Sequence, residues 1–219
     1  MPVDEPLYPV NLRVADRRCL VVGGGRVAAD KVAGLLECEA LVHVVAPALG
    51  ELLAEMVAAE VAAPEGGARL SWDQRPYRIG DLDGRMLVIT ATDVAATNHQ
   101  VFLDAQRAGV LVNSADDPGN CTFTLPSRVR RGHLLVTFST GGHSPALATW
   151  LRRRFESEFG AEYDTLIDVL ADARESIRAE GRSTEGLDWQ EALDSGMLEL
   201  IREGRVAEAK ERLQACLSS

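Results

Sequence analysis

The stretch Cys19-Leu20-Val21-Val22-Gly23-Gly24-Gly25-Arg26-Val27-Ala28-Ala29-Asp30-Lys31 decides how the rest of the chain is read. An apolar run ends in three glycines, and a helical pattern follows at once. The spacing Gly23-x-Gly25-x-x-Ala28 fits the dinucleotide fingerprint in its Ala-ending form. Gly23 suits the tight turn out of a strand. Gly25 has no side chain, so a pyrophosphate can approach the backbone. Ala28 is small enough for close packing of helix on sheet. The helix N-terminus then offers unpaired N–H groups and a positive dipole end to phosphates.

Outward from this stretch, short apolar runs alternate with helical patterns. Strands are expected at Arg18–Val22, Leu41–Val45, Arg69–Asp73, Met86–Thr90 and Val110–Asn113, and helices at Arg26–Glu37, Ala48–Glu60 and Val94–Ala108. A lead-in strand or extended arm covers Pro6–Asn11, a loop Pro64–Gly67 and a turn Asp81–Gly84. Such alternation implies a parallel sheet with helices on both faces, an α/β Rossmann-type architecture. Ligands of these sheets bind beyond the carboxyl ends of the strands. Gly23–Gly25, Pro47, Thr92-Asp93 and Asn113–Asp116 all fall at such ends.

The pattern changes after the turn cluster Asp117-Pro118-Gly119-Asn120. Thr122–Leu125 and Leu134–Ser139 read as strands joined through Ser127–Gly132. Ser144 as N-cap and Pro145 as first helical residue start a helix to about Glu158. Helices follow at Tyr163–Ala179, Asp188–Leu193, Met197–Arg202 and Val206–Leu217. The expected division is a nucleotide-binding Rossmann domain over residues 1–116, a small α+β dimerisation segment over 117–155, and a C-terminal helical domain over 156–219. The 118–139 segment is too short for a core of its own, so two copies are expected to complete each other in a homodimer.

The 219 residues carry a net charge of −10, which argues against nucleic acid as a partner. Pro118–Phe155 contains no Asp or Glu and holds Arg128, Arg130, Arg131, Arg152, Arg153 and Arg154. Two readings stay open: an anion-binding surface, or a basic turn and a solvated helix end. No apolar run approaches the roughly 18 residues of a membrane span, and the N-terminus lacks the marks of a signal peptide. Cys19, Cys38, Cys121 and Cys216 are scattered without a Cys-x-x-Cys, as expected of reduced thiols in a cytoplasmic protein rather than a metal site. At the end of the second strand, where an acid usually holds the adenosine ribose, the chain reads Val45-Ala46-Pro47. Neither an acid nor an arginine for a 2′-phosphate stands there, which leaves the adenosine to backbone contacts around Ala46–Ala48.

Tyr8-Pro9-Val10-Asn11-Leu12, Val21–Lys31, Ala91-Thr92-Asp93, Asn113-Ser114-Ala115-Asp116-Asp117-Pro118, Phe123-x-Leu125-Pro126-Ser127 and Ser139-Thr140-Gly141-Gly142-His143-Ser144-Pro145 occur in order. Together they resemble the precorrin-2 dehydrogenase/sirohydrochlorin ferrochelatase family, the N-terminal module of siroheme synthase. The resemblance covers about residues 6–155 and suggests the stand-alone form. It implies oxidation of precorrin-2 to sirohydrochlorin with NAD+ as hydride acceptor. In bifunctional members Fe2+ insertion follows. It places NAD contacts on Gly23, Gly24, Gly25, Arg26 and Val27, on Pro47 and Ala48, and on Thr92. It places the functional aspartate on Asp116, as general base. A serine phosphorylated in one branch corresponds to Thr140.

The residues make chemical sense of this. Loss of a hydride from a tetrapyrrole also requires loss of a proton, which a carboxylate at the crevice mouth can take. Asp117 competes with Asp116 for that role, and Asp116 also suits the start of the Asp-Pro-Gly turn. The substrate carries many carboxylates, which arginine forks bind well. Arg128, Arg130 and Arg131 are therefore substrate-binding candidates. His143 is another, beside its reading as a loop histidine at a helix cap. No metal-ligand spacing is present, so a dehydrogenase alone and a dehydrogenase that also inserts Fe2+ or Co2+ both remain open. A different class, a regulatory NAD-binding module without turnover, would explain the glycines and the helical tail but has no need of Asp116.

Overall fold

The computed structural model describes residues 3–62, 68–115 and 117–217. The expected loop at Pro64–Gly67 lies outside the described residues, and so does Asp116. Two compact units are formed. The first runs to Leu125 and takes in Gly141–His143; the second comprises Pro126–Thr140 and Ser144 onward.

In the first unit five strands form one parallel sheet: β1 (Arg18–Val22), β2 (Leu41–Ala46), β3 (Leu70–Gln74), β4 (Leu87–Thr90) and β5 (Leu111–Ser114). Their order is β3-β2-β1-β4-β5. The connection direction thus reverses between β1 and β4, the switch point where such sheets open a crevice. Alternate residues feed two cores. Val21, Val42, Val44 and Ile89 face one side, where α1 (Arg26–Leu36) adds Ala28, Ala29 and Val32, and α2 (Glu51–Ala62) adds Leu53. Leu20, Val22, Val45, Val88 and Val112 face the other, where α3 (Ala95–Ala108) adds Val101 and Ala105. Burial on both faces is why these strands read as unbroken apolar runs rather than alternating ones.

Of the two readings of Pro6–Asn11 the arm is the one observed: the segment is exposed and joins no strand. Pro6 and Pro9 lack the N–H that a ladder needs. One expectation for the first unit needs correction: Thr122–Leu125 forms no strand. Thr122 alone pairs with the edge of β5: its N–H donates to the Val112 carbonyl at 2.8 Å, and its hydroxyl, not its backbone, takes the Val112 N–H at 2.9 Å. Phe123 then turns inward against the first core.

In the second unit an antiparallel hairpin joins β6 (Ser127–Arg131) to β7 (Leu134–Phe138), pairing Val129 with Val136. The expected connection at Ser127–Gly132 is therefore itself a strand. Its one aliphatic residue, Val129, is buried at 2% exposure between the exposed Arg128 and Arg130. The remainder is helical: α4 (Pro145–Glu158), α5 (Glu162–Ala179), α6 (Trp189–Asp194), α7 (Met197–Arg202) and α8 (Val206–Leu217). Ser144 caps α4 by accepting the Leu147 N–H at 3.2 Å, and Pro145 fills its first position. Leu166, Val169, Met197, Leu200, Ile201 and Leu213 build the helical core. Among the described residues no helix is long and apolar enough to cross a membrane.

Candidate dinucleotide site

A crevice of about 1020 Å³ opens at the carboxyl ends of β1, β2 and β4. Gly23, Gly24, Gly25, Arg26, Val27, Pro47, Ala48 and Thr92 all line it. Every cofactor-binding residue expected from the sequence is thus in one place.

The three glycines serve three different ends. Gly23 has φ +127°, a conformation side chains avoid, and a Cβ there would run into the Ala91 carbonyl. It makes the turn and lets β1 and β4 lie close. A Cβ on Gly24 would meet the Ala48 carbonyl oxygen. The Gly50 N–H also donates to the Gly24 carbonyl at 2.8 Å, so the loop after β2 is latched onto the glycine turn. Gly25 differs. Its φ is −82°, and a Cβ would meet nothing within 4 Å. Neither backbone nor packing demands glycine there, whereas a ligand approaching the backbone does.

Gly25 is also the N-cap of α1. It supplies no side-chain cap, and the first turn holds no acidic residue. The first N–H groups of α1 and the positive end of its dipole are left for an anion. A dinucleotide pyrophosphate fits this cradle. Among the described residues Arg26 is the one cationic side chain that lines the crevice, and no base stands at the end of β2.

Further walls were not singled out in the sequence. Pro76 and Tyr77 after β3, Asp93 and Val94 after β4, and Thr97 and Gln100 on α3 also line the crevice. For the last two the signal was present: they follow the β4 turn on the first turns of a helix. The Trp72 indole donates to the Ala46 carbonyl at 3.0 Å and steadies the end of β2. Thr92 is tied to Asn98 both ways, its hydroxyl donating to Oδ1 at 2.8 Å and its carbonyl accepting from Nδ2 at 2.9 Å. Its side chain therefore shapes the loop.

The end of β5 is built from polar contacts. Buried Thr90 donates to Ser114 Oγ at 3.1 Å, and the Ala115 N–H donates to the Thr90 carbonyl at 2.8 Å. Ala115 lines the crevice, and Asp116 follows it in sequence. The Asp117 carboxylate accepts from Asn120 Nδ2 at 2.6 Å, within the turn. The Cys121 thiol is pushed up by burial, and its sulfur accepts the Ser114 N–H at 3.2 Å. No disulfide joins Cys19, Cys38, Cys121 and Cys216.

The remaining candidates do not line this crevice. Arg131 spends its guanidinium on the end of α4: Nε donates to the Phe159 carbonyl at 2.8 Å and Nη2 to the Glu156 carbonyl at 3.2 Å. Arg128 and Arg130 lie on the exposed face of β6. Arg152 and Arg154 pair with Glu156 and Glu158, just beyond the acid-free stretch. The +6 segment is thus partly neutralised by i,i+4 partners. His143 is exposed, with Nε2 3.7 Å from Asp4 of the N-terminal arm. Among the described residues no group of three or more His, Cys, Asp and Glu side chains is arranged to hold a metal ion.

Fold and crevice together define a parallel α/β domain of the dinucleotide-binding class, with a crevice at its switch point. A family model described as "Putative NAD(P)-binding" matches residues 10–127, and the chain belongs to that family. Siroheme synthase of Nitrosomonas eutropha is 35% identical over 97% of this chain and 44% of its own length. That of Nitrosococcus oceani is 38% identical over 95% of the chain and 43% of its own length. The chain thus spans less than half the length of these curated relatives. Among solved structures, SirC, a precorrin-2 dehydrogenase, matches with a TM-score of 0.68 at 24% identity. The match covers 97% of this chain and 100% of that one, and shows the shared fold.

Proposed function

We propose that the chain oxidises precorrin-2 to sirohydrochlorin with NAD+, a step toward siroheme. The observation that carries this reading is the open backbone at Gly25 beside an uncapped α1, in a chain that aligns over nearly its whole length with siroheme synthases. Bound in the crevice, NAD+ supplies a hydride acceptor. The chain's own part is to hold the pyrophosphate on the α1 N-terminus and to take the proton. NAD+ is favoured over its 2′-phosphorylated form because, among the described residues, no cation lines the crevice at the end of β2 to meet a phosphate. Asp116 is the base in this reading. The carboxylate of its neighbour Asp117 is already held by Asn120.

Arg128 and Arg130 stay candidates for the substrate's carboxylates, and so does His143; Arg131 is better read as a cap of α4. The second unit supports a homodimer. α4 has no buried residue and exposes Leu147 at 47% and Trp150 at 55%. Light scattering giving a monomer at micromolar concentration would overturn the dimer.

The activity is tested anaerobically, with precorrin-2 and NAD+ added to wild type and Asp116→Ala while NADH and the sirohydrochlorin spectrum are followed. Wild type should form both. The variant should keep NAD+ binding and lose at least about 100-fold in rate. Fe2+ or Co2+ added afterwards tests metal insertion, the metal being a substrate. NAD+ binding by wild type without NADH formation would favour a regulatory module instead.

A further inference from the structure

Asp104 on α3 is a buried carboxylate that the reaction above does not use. Its side chain is 2% exposed. It accepts from three donors: the Tyr77 hydroxyl at 3.3 Å, Gln100 Nε2 at 2.9 Å and Arg107 Nη1 at 3.1 Å. A carboxylate this deep is costly unless it is paired, so these contacts are built into the fold. Two of its three donors, Tyr77 and Gln100, line the crevice.

The geometry of this wall follows from the helix. Ala96, Gln100 and Asp104 recur at i, i+4 and i+8 and share one face of α3. Ala96 lines the crevice with a methyl group alone, which leaves room beside Gln100. The Tyr77 ring packs against the cluster that includes Leu20, Val22 and Val45. Burial first, and the charge of Asp104 second, push its phenol well above the usual range, so it stays a donor at neutral pH. A carboxylate only accepts, so the Gln100 amide must turn its nitrogen toward Asp104. That leaves the amide oxygen and the second N–H without a partner among the described residues. Val45, Ala46, Pro47 and Ala48 line the same crevice, and the end of the second strand is where such sheets place the adenosine ribose.

We infer that Gln100 reads the adenine of the dinucleotide, positioned by Asp104, which the Tyr77 hydroxyl helps to hold. The Gln100 oxygen accepts from the exocyclic amine and its free N–H donates to the neighbouring ring nitrogen, the pairing an amide makes with adenine. The inference rests on the dinucleotide reading above.

Nicotinamide hypoxanthine dinucleotide is the probe, because a carbonyl oxygen replaces the exocyclic amine and N1 gains a hydrogen, while N7, the sugars, the phosphates and the nicotinamide are kept. NAD+ and this analogue are titrated calorimetrically into wild type, Gln100→Leu and Asp104→Asn, without tetrapyrrole. Wild type should bind NAD+ at least about tenfold more tightly than the analogue. Gln100→Leu should bind both within about twofold of each other, with a modestly lowered melting temperature, because Asp104 loses one of its donors and keeps Tyr77 and Arg107; Gln100→Ala serves if it misfolds. Asp104→Asn should lower the selectivity ratio without abolishing NAD+ binding, which a purely structural role would not do. Equal ratios in wild type and Gln100→Leu, with NAD+ still bound, would overturn the inference and leave the cofactor reading intact. An unchanged ratio in Asp104→Asn would remove its positioning role. A folded wild type that binds neither nucleotide would overturn both readings.

Discussion

The two units bury their apolar residues by different means, and their polar work is done by different atoms. In the first, strands sealed on both faces carry the core, and the crevice is lined largely by backbone at glycine, alanine and proline. In the second, helices carry the core, the hairpin seals one face only, and a long arginine closes the end of a helix. A backbone-built site tolerates almost no added atom. A side-chain-built contact can be lost one hydrogen bond at a time. Substitutions in the two units should therefore differ in size and in what they disturb.

Gly23→Ala is the harshest test of that contrast. It imposes a forbidden φ and drives a methyl into the Ala91 backbone. We expect a loss of about 3 kcal/mol or more, seen in chemical denaturation together with loss of NAD+ binding. Met197→Ala in the helical core should cost about 2–5 kcal/mol yet leave the NAD+ dissociation constant within error. A large change in affinity there would break the division between the units. Arg131→Ala removes two hydrogen bonds, to the carbonyls of Glu156 in α4 and of its C-cap Phe159, and should cost about 1–2 kcal/mol. Turnover that collapses while stability holds would return Arg131 to the substrate site.

The smallest effect is a pH dependence in the first unit. His43 on β2 bonds Ser71 at 2.8 Å, and burial first, then Arg85, hold its pKa below 6.5. The unfolded chain therefore takes up this proton at higher pH than the folded one. The contribution is whole above about 6.5 and is lost as pH falls toward the folded value. His43→Gln should flatten the stability profile on the acid side of that point. An unaltered profile would show that the ring titrates as freely as in the unfolded chain.

How much of this was legible in the sequence follows the same division. β1, α4, α7 and α8 keep their expected ends, because apolar runs, the Ser144-Pro145 start and flanking glycines are local signals. The glycine turn was legible because its chemistry depends on missing side chains. The strand at Ser127–Arg131 was not, because one buried valine among arginines carries too little periodicity. Thr122–Leu125 misled in the opposite sense: its alternation is strand-like, but β5 offers it one paired position. Asp104 with Tyr77 and Gln100 stayed hidden because 27 residues separate Tyr77 from Asp104 and only the fold joins them.

The crevice is open at Gly25 for a ligand and not for the fold. Gly25→Ser tests it most directly, since serine is a good N-cap and meets no neighbouring atom. NAD+ is titrated into wild type and the variant, and both are melted. The variant should melt at or above the wild-type temperature and lose at least about tenfold in NAD+ affinity, the added hydroxyl taking the N–H groups meant for phosphate. Equal affinity in the two proteins, or no binding by wild type, would contradict it.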